Sequence, residues 1–385
     1  MKRILVIGGG SAGVMFSNRM RNEFSPDEVE ITVIERNEMH VYQPAFTLVV
    51  FDLDDPKNLL RPVKDLFFDG IKLVHDVAVK IDADNSKVVT EKHGEISYDY
   101  LVVASGAKLL FEEPEGLKEG IEASKNVFTF YKLDGAIKLR DKLKDMDGGT
   151  IAMSVCEMPI KCPAAPMKFI MMAEDTMRIK GKRDKFKFVF TTPMPAVFSR
   201  EPYASKLVSI FGSRGIDTVA NFAPSQVDYD KGVIKDYGGK EVRFDLLCIT
   251  PPHGGEAVIE ESEGVGDAAG WVSCDKHLMV SKKFKNIYGI GDASDFPTSK
   301  TASGIRKQAK VLVSRLKAEI KGEVPTDTYD GEIICPILTK HKRVMFAHFN
   351  YEESISPAIE SYANWVLKVH MLRPLYWNLM LNGLV

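Results

Sequence analysis

A strand that runs directly into a glycine turn constrains the fold of this chain more than any other feature of its sequence. Residues 3–13 read RILVIGGGSAG, in which an apolar run meets Gly8, Gly10 and Gly13, and a helical pattern continues through Arg21. Glycines in this spacing permit a tight turn, and the helix that follows presents its N-terminus to a pyrophosphate. The sequence therefore predicts a dinucleotide-binding turn at the start of an α/β domain.

An acidic residue at the end of the next strand supports this prediction. The strand is predicted from Glu30 to Ile34 and ends at Glu35. Its separation from the glycine turn is the one that contact with a ribose hydroxyl requires. This pattern alone does not distinguish FAD from NAD.

Two later segments favour FAD. The first is YDYLVVASGA, Tyr98 to Ala107, a buried strand closed by a turn of small residues. The second is NIYGIGDASDFPTSKTASG, Asn286 to Gly304, in which a strand ends at Asp292 and a helix begins near Thr301. An aspartate after a glycine at a strand end can bind a polyol chain, and the helix N-terminus places positive potential near an electron-rich ring. Three such motifs in this order are typical of flavoproteins with two dinucleotide-binding domains.

A second α/β unit is predicted between residues 150 and 250, and its first turn differs from a nucleotide-binding turn. The strand Thr150–Val155 is followed by Cys156 and Cys162 in a proline-rich segment, where a nicotinamide site would need glycines. This indicates sulfur chemistry at a position that usually receives NAD(P)H. Further strands are predicted at Phe186–Phe190, Ile216–Val219 and Leu246–Pro252, and helices at Tyr131–Asp145 and Glu201–Arg214.

The five cysteines do not indicate a disulfide scaffold or a metal site. Their number is odd, their spacing is not that of a small secreted domain, and none has zinc-ligand spacing. Cys335 lies on a hairpin predicted around residues 333–348, so any contact with Cys162 must be tertiary. Cys248, inside an apolar strand, is expected to be structural, and Cys274 is expected to be a surface thiol.

Several residues near these motifs keep two interpretations. The aromatic segment Met39–Asp54 either covers the core or lies over the flavin with Gln43 as a polar contact. Lys161 either lowers the pKa of a thiol or is merely solvated. His253 either moves protons or is structural, with the structural role favoured. Thr301 either meets the flavin carbonyls together with its neighbour or caps a helix.

The C-terminal segment, Asn364 to Val385, holds two of the three tryptophans and is predicted as two short helices separated by Pro374. It fits either an amphipathic segment at a membrane interface or a helix that docks on the core or on a second copy. Tyr376 and Trp377 are expected to anchor at the interface or to border a quinone. No stretch is apolar enough to span a bilayer, and the net charge of −2 does not favour nucleic acid.

Taken together, these motifs resemble one family, the sulfide:quinone oxidoreductases, and most closely its mitochondrial-like branch. The resemblance extends along nearly the whole chain, through GGGSAG, YQPAF, PIKCPAAP, ITPP, GDAAGWV, GIGDASDFPTSKTA, YDGEIICPILT and LYWNLMLNG. It implies FAD, hydrogen sulfide as electron donor, a membrane quinone as acceptor, and Cys162 and Cys335 as a redox-active pair. Some relatives carry a further cysteine that attaches the flavin. This chain has Phe128 and its neighbours there, so the expected FAD is non-covalent.

The resemblance also implies a role for each residue of the site. Hydrosulfide attacks the paired cysteines, Cys335 holds the resulting persulfide, and Cys162 passes two electrons to the flavin. The persulfide leaves to a second nucleophile or grows into a polysulfide, and quinone takes the electrons near Phe346, Tyr376 and Trp377. The predicted cofactor contacts are Gly8, Gly10, Ser11, Ala12, Gly13, Glu35, Arg36, Gln43, Ala78, Ala104, Ser105, Gly106, Gly291, Asp292, Lys300 and Thr301.

The resulting prediction is an α/β protein with two Rossmann-like folds and membrane-associating C-terminal helices. We expect an FAD domain (1–110 and 251–325), a second Rossmann-like domain (111–250), and a C-terminal hairpin and interface segment (326–385). Because the first strand begins almost at Met1, no signal segment is expected, which predicts a peripheral or monotopic protein on the cytoplasmic side of the cell membrane. Self-association into a homo-oligomer is left open.

Three alternative functions stay open at this point. The first is a type II NADH:quinone oxidoreductase on the same fold, which the missing glycine turn after Val155 disfavours. The second is a sulfide dehydrogenase that passes electrons to a cytochrome. The third is a redox-inactive flavoprotein that serves as a binding scaffold, which would be favoured if Cys162 and Cys335 lay far apart.

Overall fold

Two parallel sheets form the framework of the protein, for which a computed structural model describes residues 1–385. Each sheet has five strands, all parallel, and most of them are continuous apolar runs because helices and loops cover both faces of such sheets. The first sheet consists, in spatial order, of Ile287–Gly289, Tyr100–Val103, Lys2–Ile7, Val29–Glu35 and Ile71–His75. The second consists of Val127–Phe128, Leu246–Thr250, Gly149–Val155, Phe186–Thr191 and Ile216–Val219.

The helices connect these parallel strands, which cannot be joined by tight turns. The helix after the glycine turn packs against the long helix that follows Thr301, so the first and last parts of the first sheet share one helical layer. This arrangement confirms the predicted pair of Rossmann-like folds. The helices of the two units are Ser11–Glu23, Phe46–Val50, Leu117–Ala123, Leu133–Asp145, Ala165–Ile179, Tyr203–Ser213, Ala257–Glu260 and Ala302–Lys321.

Antiparallel strands were predicted only for the hairpin that carries Cys335, and the structure contains several more. That hairpin is Ile333–Lys340 with Arg343–Phe349, and it gains a short third strand, Glu360–Ser361. A two-stranded ribbon of Lys108–Leu109 and His253–Gly254 joins the two units. The other antiparallel strands that the sequence interpretation missed are Met39–Val41, Leu60–Pro62, Ala78–Asp82, Lys87–Thr90, Gly94–Ser97, Pro224–Asp228, Val233–Asp236 and Glu241–Arg243. It also missed two strands of the parallel sheets, Ile71–His75 and Val127–Phe128.

The C-terminal segment is one helical run over residues 362–380, and the prediction that Pro374 splits it is wrong. Its parts are Tyr362–Val366, Leu367–Met371, Leu372–Leu375 and Tyr376–Met380, the second and fourth being wider turns of the π type. The widened turns redistribute the backbone hydrogen bonds, which lets the helix pass a residue that has no N–H. No helix in the protein combines the length and the apolar character that crossing a membrane requires.

Candidate active site

The glycine turn after the first strand forms an open cradle at the N-terminus of a helix. Gly8 has a φ of +105°, and a Cβ there would lie 2.4 Å from the carbonyl oxygen of Ala104. A Cβ at Gly13 would lie 1.8 Å from the carbonyl oxygen of Gly8, whereas a Cβ at Gly10 would meet no atom within 4 Å. The turn is therefore tight where the chain packs on itself and open where a pyrophosphate would approach Ser11 and the helix.

Polar groups at the carboxyl end of the first sheet have unused capacity for hydrogen bonds. Asp292 Oδ1 and Ser105 Oγ are buried without a partner, and burial raises the pKa of Asp292. Glu35 accepts from the backbone N–H of Gly9 at 2.5 Å and of Asn37 at 2.7 Å, and an ionised carboxylate can accept further bonds. Buried oxygens without partners are rare in folded proteins. These residues thus fit the pyrophosphate, ribose and ribityl groups of FAD.

Other predicted cofactor contacts have partners within the chain. Lys300 Nζ donates to the carbonyl oxygens of Asp292 at 2.8 Å and Ser294 at 2.7 Å. Thr301 Oγ1 accepts from the N–H of Gly304, so Thr301 does cap the helix. Arg36 forms an ion pair with Glu256 at 2.9 Å.

The remaining predicted contacts border the same region. Gly291 is tight against the helix after the glycine turn, because a Cβ there would lie 3.0 Å from the Cβ of Ala12. Ala104 and Gly106 belong to the turn that leaves the strand Tyr100–Val103. Ala78 begins a separate strand two residues after Asp76, whose N–H donates to the carbonyl oxygen of Glu35.

Met39–Asp54 covers the core, as one of its two interpretations predicts, because its helix Phe46–Val50 is buried; Gln43 contacts a lysine. The lysine is Lys161, whose Nζ donates to Gln43 Oε1 at 3.2 Å. Burial lowers the pKa of Lys161, and its ammonium is not the one that contacts the thiol. Lys161 is partly exposed and binds Gln43, so of its two interpretations the contacts favour the one without a role at the thiol.

Cys162 and Cys335 meet in the folded chain. Their Sγ atoms lie 3.8 Å apart as free thiols, although 173 residues separate them in sequence. Hydrogen bonds hold Cys162, and the residue before Cys335, to the loop and helix start at residues 300–303. The N–H of Cys162 donates to the carbonyl oxygen of Lys300 at 2.8 Å, and the N–H of Ile334 donates to Ser303 Oγ at 2.8 Å. The scaffold alternative, which a large separation of the two cysteines would have favoured, therefore lacks that support.

The backbone of Cys162 adopts a conformation that side chains other than glycine rarely take. Its φ is +47°, in the left-handed region. The carbonyl oxygen of Cys162 accepts from the N–H of Ala165 at 2.7 Å, and its N–H is held by Lys300. The surrounding hydrogen bonds therefore hold the residue in a strained geometry of the kind that clusters at functional sites.

Two buried lysines surround the pair, and the sequence interpretation missed both as site residues. Lys168 Nζ lies 3.2 Å from Cys162 Sγ, and Lys368 Nζ donates to the carbonyl oxygen of Pro44 at 2.9 Å. Burial, together with repulsion from Lys168, lowers the pKa of Lys368 to about 8. The signal that could have found Lys168 is its position in an otherwise apolar stretch, MKFIMMA, because a lysine is seldom buried without a partner.

The thiols beside these lysines are electrically unequal. The hydrogen bond from the Cys335 thiol lowers the pKa of Cys162 well below its ordinary value, against the effect of burial, and Lys168 adds to the lowering. The same hydrogen bond, burial and the charge on Cys162 raise the pKa of Cys335. Deprotonation of the pair is therefore favoured at Cys162 over Cys335.

The other cysteines and His253 lie outside this pair. Cys248 is buried, as predicted, but Cys274 is only 2% exposed, so the prediction of a surface thiol is wrong. Its N–H donates to Asp295 Oδ1 at 3.0 Å, and a bridge to Ser281 closes the chain over it. Cys156 belongs to a separate small apolar cluster. His253 is buried with Nδ1 2.9 Å from the carbonyl oxygen of Pro251, and burial lowers its pKa to about 3, as suits a neutral structural histidine.

The C-terminal helix packs onto the glycine turn. Tyr376 Oη lies 2.6 Å from Ser11 Oγ and 2.6 Å from His40 Nε2, while His40 Nδ1 lies 3.1 Å from the carbonyl oxygen of Gly9. Tyr376 and Trp377 are 1% and 9% exposed, so neither ring is a surface anchor in this structure. Of the predicted alternatives for the segment, docking on the core is the one observed for these two residues. Phe346 is partly buried on the cysteine hairpin.

An open cavity of about 280 Å³ lies at the carboxyl ends of two strands of the second sheet. It occupies the region where a nicotinamide nucleotide would bind a Rossmann-like domain. Its lining is mostly apolar and includes Ile160 and Pro163, which flank the segment of Cys162, with Arg200 as its one charged residue. Arg200 already donates to the carbonyl oxygen of Tyr351 at 3.2 Å. The cavity thus suits a small apolar molecule better than a pyrophosphate.

Comparisons with known proteins agree with this geometry. The family model of pyridine nucleotide-disulphide oxidoreductases matches residues 2–311. The mitochondrial sulfide:quinone oxidoreductase of Mus musculus is 31% identical over 392 residues, which cover 99% of this chain and 86% of that protein. The Dictyostelium discoideum protein of the same name is 31% identical over 394 residues, with the same shares. The solved structure of the sulfide:quinone oxidoreductase from Aquifex aeolicus has a TM-score of 0.86 at 23% identity, covering 100% of this chain and 92% of that one.

Proposed function

The chain belongs to the sulfide:quinone oxidoreductase family of the pyridine nucleotide-disulphide oxidoreductases, and on that premise we propose that it oxidises hydrogen sulfide and reduces a membrane quinone. The observation that supports this proposal most directly is the 3.8 Å separation of Cys162 Sγ and Cys335 Sγ beside the buried Lys168. A bridge through one extra sulfur would need the two sulfurs to approach slightly, and a direct disulfide with an S–S bond of about 2.05 Å would need them to approach further.

In the proposed reaction, the oxidised pair is attacked by hydrosulfide at Cys335. The bond between the two cysteine sulfurs breaks, a new S–S bond forms on Cys335 as a persulfide, and Cys162 leaves as a thiolate. Lys168 stabilises that thiolate, because its ammonium lies 3.2 Å from Cys162 Sγ. FAD, when bound, supplies the two-electron acceptor between the sulfur and the quinone. Gly8, Gly10 and Gly13, Glu35 and Asp292 would hold it non-covalently.

The sulfane sulfur would leave through the apolar cavity beside Ile160 and Pro163. A persulfide or a short chain of sulfur atoms is weakly polar, and the cavity offers few hydrogen bonds that a charged acceptor would need. Transfer to a second nucleophile and growth of a polysulfide both fit this route. The same lining argues against NADH, since no glycine turn follows Val155 and the proline-rich segment fills that position.

The quinone and the membrane would meet the protein on the C-terminal side, with Phe346, Tyr376 and Trp377 nearest the quinone. Large apolar side chains are exposed on the C-terminal helix and the segment before it. Tyr362 and Met371 are 54% and 48% exposed, and Ile355 and Ile359 are 46% and 60% exposed. We propose that this surface enters the lipid headgroup layer as a peripheral contact on the cytoplasmic side of the membrane. Arg373 stays with the protein through its ion pair with Asp54 at 2.8 Å.

The deciding experiment mixes the FAD-loaded protein, without oxygen, with sulfide and separately with NADH. Flavin absorbance near ~450 nm reports reduction. We expect sulfide to bleach the flavin, a soluble quinone to restore the colour, and NADH to have no rapid effect. Bleaching by NADH alone would contradict the proposal, and the two cysteines would then be structural residues on a type II NADH:quinone oxidoreductase.

A further inference from the structure

A buried cluster of charges lies on the helix that begins beside Cys162, and the proposed reaction does not use it. The helix is Ala165–Ile179, with Lys168 in its first turn and Glu174 and Asp175 about 10 Å further along its axis. Glu174 is fully buried and accepts from Arg183 Nε at 2.8 Å and from Arg214 Nε at 2.7 Å. Such a cluster is costly to bury unless every charge is paired, so its position calls for an explanation.

The cluster also holds the strand that carries Cys335. Arg214 donates through its two terminal nitrogens to the carbonyl oxygens of Thr339 and Met171. His341 donates to Asp175 Oδ2 twice, from its backbone N–H at 2.7 Å and from Nδ1 at 2.8 Å. These bonds keep the pKa of Asp175 low even though burial raises it. Thr339 and His341 lie at the end of the strand Ile333–Lys340, so the helix and the strand are fastened to each other there.

The two sulfurs lie at the opposite ends of the same helix and strand. Cys162 precedes the helix by three residues, and Cys335 precedes Thr339 by four, which is about 13 Å along an extended strand. The helix and the strand pack side by side between these points. A slip of one residue in the strand would move Cys335 by about 3.3 Å and turn its side chain to the other face. The register of the strand on the helix therefore sets the distance between the sulfurs.

We propose that Arg214, Asp175 and His341 are positioning residues that fix the approach of Cys335 to Cys162. Arg214 serves as the link, because its guanidinium pairs with Glu174 on the helix and holds the carbonyl oxygen of Thr339 on the strand. A planar fork places its donors on three separate nitrogens, so it can reach Glu174, Thr339 and Met171 at once from different directions, whereas the donors of a lysine all lie on one nitrogen. The importance of the Cys162–Cys335 pair for activity rests on the proposed function, whereas the geometry that holds the two cysteines together does not.

The test compares Arg214→Gln with Arg178→Gln in the full-length, FAD-loaded protein. Arg178, whose side chain is half exposed, also binds Glu174 but makes no contact with the strand, so it is a control for the loss of one ion pair to that buried carboxylate. Each protein is equilibrated, without sulfide, in mixtures of reduced and oxidised glutathione. The Cys162–Cys335 disulfide is then counted by alkylation and mass spectrometry. Each disulfide formed consumes one oxidised glutathione and releases two thiols.

We expect Arg214→Gln to lower the equilibrium constant for this disulfide by about tenfold or more, and Arg178→Gln to leave it unchanged. A second comparison decides the matter if Arg214→Gln does not fold. It compares His341→Ala with His93→Ala. His93 also binds an aspartate, Asp76 at 2.7 Å, but it lies in the turn before the strand Gly94–Ser97 and does not touch the strand that carries Cys335. The proposal would be overturned if the folded variant, Arg214→Gln or His341→Ala, had the same equilibrium constant for the disulfide as wild type. It would also be overturned if that variant and its control lowered the constant equally. Failure of the proposed function would appear separately, as no bleaching of the wild-type flavin by sulfide.

Discussion

Lys168 Nζ lies 3.2 Å from Cys162 Sγ, and the lysine is buried. The thiolate of Cys162 and its neighbour Cys335 raise the pKa of Lys168, although burial acts in the opposite direction. An ammonium and a thiolate at this distance stabilise each other far more inside a protein than in water. The contact supports the proposed roles, in which Cys162 is the leaving sulfur and Cys335, as the family resemblance implies, is the sulfur that is attacked.

Lys168→Met tests this electrostatic role. Removing the ammonium removes one cause of the low pKa of Cys162, so the thiolate becomes harder to form and is less abundant at a given pH. We expect the rate of flavin bleaching by sulfide to fall, and its rise with pH to move upward by about one pH unit. Stopped-flow absorbance measures both the rate and its pH dependence between about pH 5 and pH 9, roughly two pH units on either side of neutrality.

The control for that experiment is Lys161→Met. Lys161 lies beside Cys162 in sequence, yet its Nζ contacts Gln43. The bleaching profile of this variant should keep the wild-type dependence on pH. A shift in Lys161→Met and none in Lys168→Met would show that the wrong lysine had been assigned.

Cys162→Ser and Cys335→Ser each remove one sulfur from the pair. Neither variant can form the disulfide or the sulfur-bridged form, so sulfide has no S–S bond to attack. We expect the rate of sulfide-dependent flavin reduction to fall by about 10³-fold or more in both. Cys248→Ser is a control outside the pair, because Cys248 is a buried core residue, and full activity in either of the first two variants would contradict the mechanism.

Lys368→Met tests the cost of the second buried lysine. The pKa of Lys368 falls from 10.5 to about 8, chiefly through burial. Between these two values the unfolded chain binds the proton and the folded chain does not, so this residue makes stability rise with pH across that interval. Below about pH 8 the folded state bears the full cost of the buried charge.

The expected result is that Lys368→Met has a higher free energy of unfolding at pH 7 and a weaker rise in stability above pH 8 than wild type. Urea denaturation at several pH values measures both quantities. Lower stability of the variant at pH 7 would mean that attraction to the thiolate outweighs the cost of burial.

Tyr376→Phe tests the docking of the C-terminal helix on the glycine turn. The hydroxyl contacts Ser11 Oγ and His40 Nε2, both at 2.6 Å, and its loss leaves these groups without that partner. We expect the free energy of unfolding to fall by about 1–3 kcal/mol. Limited proteolysis should also release residues 362–385 faster. Tyr362→Phe, at an exposed position, should have no effect, and equal behaviour of the two variants would refute the docking role.

The double variant Ile359→Glu with Met371→Glu tests the proposed membrane surface. Both side chains are exposed, at 60% and 48%, and charges there would oppose entry into the headgroup layer. We expect binding to phosphatidylcholine–phosphatidylglycerol vesicles in a flotation assay to fall by about tenfold or more. Sulfide-dependent bleaching should be unchanged.

Val208→Glu provides the matched control for the vesicle experiment. Val208 is 54% exposed on the helix Tyr203–Ser213 of the second unit. Its replacement should leave vesicle binding at the wild-type level. Retained binding of the double variant would place the lipid contact elsewhere on the protein.

The sequence alone was sufficient for the features that depend on neighbours along the chain. Gly8 and Gly13 are required by a turn that places their α-carbons against the backbone, and that requirement is visible in RILVIGGGSAG. Most strands of both parallel sheets were also predictable, and a cap was one of the two interpretations of Thr301, because apolar runs and capping residues act within a few positions. Two strands of those sheets, Ile71–His75 and Val127–Phe128, were not predicted. The short antiparallel strands were not predictable in this way, since their pairing depends on turns rather than on a strong apolar pattern.

Only the tertiary structure decided which distant groups meet. It brought Cys162 to Cys335 across 173 residues, buried Cys274 beside Asp295, and placed Tyr376 on Ser11. It also selected Lys168 rather than Lys161 as the partner of the thiol. Backbone conformation is set largely by local sterics and hydrogen bonds, which the sequence displays directly. The burial of a charge and the distance between two sulfurs depend instead on how separate elements pack, and that packing exists only once the whole chain has folded.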